Sequence, residues 1–173
     1  MDVTEYLAFV PLLIYGVGLT KLMSDWKRIF DSTQIYLPYT MLSVVLSEVA
    51  IYNIFIYIRL IAEFSGQTYL SYLLYLAPPI LFYLTANVFT PDEGTDTRSY
   101  FLERMRLFFI LFALMIGSHF LYGMYEAPLS TVVRLVYIII LVIVAIIRKP
   151  WLSYLVVGFW LLSFLVRGNI LVT

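Results

Sequence analysis

The sequence predicts an all-helical bundle of about six transmembrane segments forming one domain over residues 1–173, and three observations carry that prediction. Composition is the first: 62% of the residues are hydrophobic and only 13% charged, which leaves too little polar surface for a soluble domain. The second is a recurrence of apolar runs of about 20 residues, the length needed to cross roughly 30 Å of hydrocarbon. They fall at residues 5–23, 36–63, 68–89, 103–125, 128–148 and 150–168, and almost no chain is left for a soluble domain. The third is the distribution of basic charge. Threading these spans puts Lys21, Lys27, Arg28, Arg98, Arg104, Arg106, Arg148 and Lys149 on one side, against Arg59, Arg134 and Arg167 toward the other. The positive-inside rule makes the first side cytoplasmic and leaves both termini outside.

Each segment has its own signals. Span one starts from Met1-Asp2-Val3-Thr4-Glu5, which lacks the basic region of a signal peptide, so the span is expected to be retained. It carries Gly16 and Gly18, residues that let helices approach closely. The mixed stretch Ser24–Asp31 reads as an interfacial turn or short helix. Span two, from about Gln34 to Phe64, is longer than a bilayer requires and should tilt or project, with Pro38 in its first turn. In span three, Pro78 and Pro79 each remove a backbone donor, which frees the carbonyls of Leu74 and Tyr75 and predicts a kink. A polar stretch follows over residues 90–98, where Pro91 and Gly94 signal a turn and Asp96 or Thr97 can cap span four. Spans five and six are rich in Ile, Val and Leu and hinge at Arg148-Lys149-Pro150, as a lipid-facing wall would. Tyr36, Tyr39 and Trp151 on the inner side, with Tyr69, Tyr72, Tyr122 and Tyr125 on the outer, suit the membrane boundaries.

The inventory excludes several chemistries. With no cysteine and one histidine, disulfides, thiolate sites, bis-histidine haem and histidine metal clusters are ruled out. Every lysine is near a segment end, so none offers a mid-membrane Schiff base. Net charge is zero, which gives no general attraction for nucleic acid. The expectation is a non-enzymatic protein without cofactor or metal.

Three groups of residues remain as candidates. Glu48 lies near the middle of span two, where an ionised carboxylate costs at least about 2.5 kcal/mol. Helical spacing puts Glu48, Tyr52, Phe55, Arg59 and Glu63 on one stripe, which either lines an ion path or hides a protonated carboxyl bonded to a carbonyl freed by the prolines. An outer polar cluster of His119, Glu126 and Arg134, near Arg59 and Glu63, could meet an anion or partner, or consist of local pairs and a packed histidine. On the cytoplasmic side, Asp92, Glu93, Asp96, Arg98, Glu103 and Arg104, beside Arg106, form either a solvated loop with internal salt bridges or a contact site for a protein partner.

Several stretches together resemble a group of small bacterial inner-membrane proteins with no assigned activity. These are Gly16-Val17-Gly18-Leu19-Thr20-Lys21-Leu22, Ala77-Pro78-Pro79-Ile80-Leu81-Phe82-Tyr83-Leu84, Pro91-Asp92-Glu93, Asp96-Thr97-Arg98-Ser99-Tyr100-Phe101 and Arg106-Leu107-Phe108-Phe109. The resemblance covers spans one to four and implies a bacterial inner membrane. A bundle this small has little interior for Glu48, so a homo-oligomer in the bilayer is expected. Two functions follow: an oligomeric ion channel or pore-like protein, or a scaffold or sensor subunit that binds a partner through its cytoplasmic loops.

Overall fold

The computed structural model describes residues 3–31, 33–59, 68–122 and 128–170, and every regular element among them is helical. Helix α1 spans Val3–Ser24 and turns through the short α2, Lys27–Phe30. Helix α3 spans Leu37–Arg59 with Pro38 at its start, where a missing N–H breaks no helical bond. The expected extension of span two beyond residue 59 lies outside the described residues.

Helix α4, Tyr69–Phe89, begins at Thr68, whose hydroxyl accepts the Ser71 N–H at 3.2 Å, and runs unbroken through Pro78 and Pro79. Helix α5, Thr97–Ser118, starts six residues earlier than hydropathy places span four. Asp96 caps it by accepting the Ser99 N–H at 2.8 Å, and the helix carries Arg98, Glu103, Arg104 and Arg106 on exposed positions of its first three turns. It closes in a 3₁₀ turn over His119–Tyr122. Helix α6, Pro128–Ile147, is followed by a 3₁₀ turn at Pro150–Leu152 and by α7, Ser153–Ile170.

The helices pack in a closed order: α1 lies against α3 and α4, α4 against α5, α5 against α6, α6 against α7, and α7 against α3. Aromatic rings fill the middle. Tyr39 stacks on Phe89 with centroids 4.3 Å apart, and Phe89 meets Phe101 and Phe108. The series continues through Phe112 to Tyr137 and then to Phe159 and Trp160. Tyr15 of α1 packs on Tyr57 and Phe82. Such ring pairs add packing specificity beyond the area they bury.

Of the two glycines expected to allow close approach, only Gly18 does so. A Cβ there would sit 2.7 Å from the Phe82 ring, whereas one at Gly16 would meet nothing within 4 Å. The outside of the bundle is apolar, with Val44, Ile51, Leu129, Ile139, Ile146, Leu161 and Leu162 all more than half exposed. Among the described residues, four helical stretches are long and apolar enough to cross a membrane: Leu37–Ile58, Tyr69–Phe89, Thr97–Leu121 and Pro128–Ile147.

Candidate functional site

The chain leaves α1 through a tight turn, with the Arg28 N–H donating to the Asp25 carbonyl at 3.0 Å, and this turn points both side chains inward. Asp25 and Arg28 are only 6% and 7% exposed. Arg28 Nε donates to Asp25 Oδ1 at 2.7 Å, and the Tyr39 hydroxyl donates to the other carboxylate oxygen at 2.5 Å. The two remaining guanidinium nitrogens donate to main-chain carbonyls of the α4–α5 loop, those of Thr95 at 2.6 Å and Asp92 at 2.5 Å. The loop supplies that pair of carbonyls by folding on itself through the Thr95 N–H to Asp92 carbonyl bond. Gly94 sits at φ +78°, the left-handed region that favours glycine. A buried pair satisfied this fully contributes little net stability, but removing one partner costs about 3–5 kcal/mol. The clamp therefore fixes the loop's position more than it strengthens the fold.

The expected cytoplasmic residues fall around this clamp, with a different pairing from the one the sequence suggests. Glu93 pairs with Lys27 across the two connections, its Oε1 2.6 Å from Nζ, rather than within its own loop. That hydrogen bond and the Lys27 charge hold the Glu93 carboxyl below its ordinary value. Asp96 is lowered by the Ser99 hydroxyl and N–H it accepts. Arg104 is 3.8 Å from Glu103 and 5.9 Å from the Tyr100 ring centre. Asp92, Glu93, Asp96, Arg98, Glu103 and Arg104 are all exposed.

On α3 the sequence singled out the polar stripe, and the structure puts it on the flank of the outward face. Val44, Ile51, Phe55 and Ile58 are 46–59% exposed, and Glu48, four residues after Val44 and three before Ile51, lies half-buried beside them with Tyr52. The inward face is instead Leu42, Leu46, Val49, Asn53 and Tyr57. The carbonyl of Tyr75, which would bond the missing N–H of Pro79, accepts the Tyr57 hydroxyl at 2.6 Å, so Tyr57 serves one of the two carbonyls the prolines free.

His119 is 4% exposed. Its Nδ1 lies 2.9 Å from the Met115 carbonyl and its Nε2 2.8 Å from Asn53 Oδ1, while Asn53 Nδ2 donates to the Val49 carbonyl at 2.8 Å. The histidine thereby ties the end of α5 to the middle of α3, as a packed core histidine does. Arg134, half-buried on α6, lies within electrostatic reach of it. Glu63, Glu126 and the side chain of Arg59 lie outside the described residues.

Sequence reasoning missed Asp25, Arg28, Tyr39, Asn53 and Tyr57. Tyr39, expected at the membrane boundary, is 2% exposed and belongs to the clamp. The available signal was an acid and a base three residues apart, next to an aromatic-rich helix start. Among the described residues, no three of His, Asp and Glu gather as metal ligands. Comparison with protein-family models, curated proteins and solved structures finds no match to this chain.

Proposed function

We propose that this chain is a six-span protein of a bacterial inner membrane that works as an assembly of copies, with an ion-conducting path along the Glu48 flank of α3. The observation that carries the reading is the position of Glu48, half-buried at the edge of an apolar outward face near the middle of a helix long enough to span. The aromatic filling of the single bundle supports a path between copies rather than through one. Intramembrane carboxylates commonly mark ion paths, which supports placing the path along this flank. In this orientation the Arg28 clamp and both termini lie on opposite sides, the clamp facing the cytoplasm.

A second reading is favoured by the clamp. Arg28 holds the α4–α5 loop by its backbone and leaves Asp92, Glu93 and Asp96 exposed in a fixed arrangement, and such preorganisation lowers the cost of binding a protein partner. One experiment separates the two. Subunit number is counted in lipid nanodiscs, and cation flux is compared between wild-type and Glu48→Gln protein in proteoliposomes. The channel reading expects several copies per particle and a wild-type flux whose pH dependence is lost in Glu48→Gln. Monomers without flux at any voltage or pH would sink it in favour of the partner-binding subunit.

A further inference from the structure

We propose that the seam between α5 and α6 binds the headgroup of an anionic phospholipid through Arg106, Arg148 and Lys149; this rests on the membrane-spanning reading, though not on the ion path. Arg106 lies nine residues beyond Thr97, about 14 Å along α5 at 1.5 Å per residue. It is exposed there among Leu102, Leu107 and Ile110, which are exposed as well, and it is the last charged residue of α5, one turn beyond the Glu103–Arg104 pair. Long basic side chains in this position bury their stems along the helix and send the charge toward the headgroups.

The neighbouring helix supplies the rest. Helices α5 and α6 follow one another in sequence and pack where Phe112 meets Tyr137 and where Gly117 faces Ile138. Running antiparallel, they bring the end of α6 to the first turns of α5. That end exposes Ile146 and Ile147 and then Arg148, Lys149 and Trp151.

Charge balance points to an anion. Lys27, Arg28 and Arg104 each have a carboxylate within salt-bridge distance, whereas Arg98, Arg106, Arg148 and Lys149 have none among the described residues. Most acids of this end are already engaged: Asp25 by Arg28, Glu93 by Lys27, Glu103 by Arg104, and Asp96 by the cap of α5, while the Asp92 side chain is exposed on the α4–α5 loop.

A second observation concerns Arg148 itself. It adopts φ 54°, a left-handed conformation at the end of α6, with its N–H donating to the Val144 carbonyl at 2.9 Å. Glycine takes that position with least strain, so an arginine there is kept at a backbone cost. A phosphodiester offers the paired oxygens a guanidinium binds best, and basic pockets between helices at the cytoplasmic side recognise such headgroups. The apolar residues below Arg106 and Arg148 give the acyl chains a surface.

The test is native mass spectrometry of the detergent-purified full chain titrated with phosphatidylglycerol or phosphatidylcholine. Wild-type protein should retain phosphatidylglycerol at lower lipid concentration, and each of Arg106→Gln, Arg148→Gly and Lys149→Gln should weaken that retention about fivefold, the worth of one basic residue near an anionic surface. Arg148→Gly is also expected to melt no lower than wild type, because it relieves the left-handed strain, so its loss of lipid is not a loss of fold. Lys27→Gln, at the same end but paired, should leave the preference intact. Equal retention of the two lipids by wild type, or a preference that survives the triple substitution, would overturn the proposal. Protein that enters nanodiscs of neither composition would overturn the membrane-spanning reading beneath it.

Discussion

Replacing Tyr57 with Phe removes one hydroxyl from a fully buried ring and leaves the Tyr75 carbonyl without the donor that stands in for the N–H Pro79 lacks. Shape is unchanged, so the loss is the hydrogen bond alone. Interhelical hydrogen bonds in membrane proteins measure about 0.6 kcal/mol on average and reach about 1.7 kcal/mol. That corresponds to roughly a 3- to 18-fold rise in the unfolding constant at 25 °C. Pro79→Ala restores a helical N–H to the Tyr75 carbonyl, so in that background Tyr57→Phe should cost close to nothing. The coupling between the two sites is then on the order of 1 kcal/mol, well above the few tenths within which independent sites add. Reversible unfolding from mixed micelles by a denaturing detergent, followed by tryptophan fluorescence, measures all four corners. Equal cost of Tyr57→Phe in both backgrounds, or no cost in either, would refute the claim that Tyr57 replaces the bond the proline removes.

The glycines of α1 provide a matched pair. Gly18→Ala should lower stability by about 1–3 kcal/mol, because its methyl would lie 2.7 Å from a buried Phe82 ring atom and 3.5 Å from the Tyr83 Cα. Gly16→Ala, with nothing within 4 Å, should be neutral or stabilise by up to about 1 kcal/mol, and thermal melts of the two variants decide the matter. Glu93 should titrate below its ordinary value of 4.5 in the folded protein, read by carboxyl NMR, and Lys27→Ala should move it back up. Because its folded value is the lower one, the Glu93–Lys27 contribution is present above about pH 4.5 and fades as pH falls through the folded pKa. A Glu93 that titrates normally in wild type would contradict the pairing.

Hydropathy located the long helices because each must present a continuous apolar surface, and their ends differ from the structure mainly where polar residues are helical. The start of α5 shows why. Residues 97–102, with Arg98 among them, fall outside the hydropathy span, yet they form the first turns of a helix that Asp96 caps. In α3, Glu48 marks the outward flank, while the inward face is marked by Asn53 and Tyr57, polar groups whose partners, His119 and the Tyr75 carbonyl, are 66 and 18 residues distant. Such contacts leave no local periodicity. The Asp25 to Arg28 spacing was visible, but its burial depends on a loop more than 60 residues further along.

Arg28 grips carbonyl oxygens, groups that every amino acid carries. The clamp therefore asks nothing of the side chains at Asp92 and Thr95 and only a tolerant backbone at Gly94. Substitutions at those two positions can recolour the exposed turn from acidic to neutral or basic while its contour stays the same. The loop is free to change what it displays without changing where it displays it.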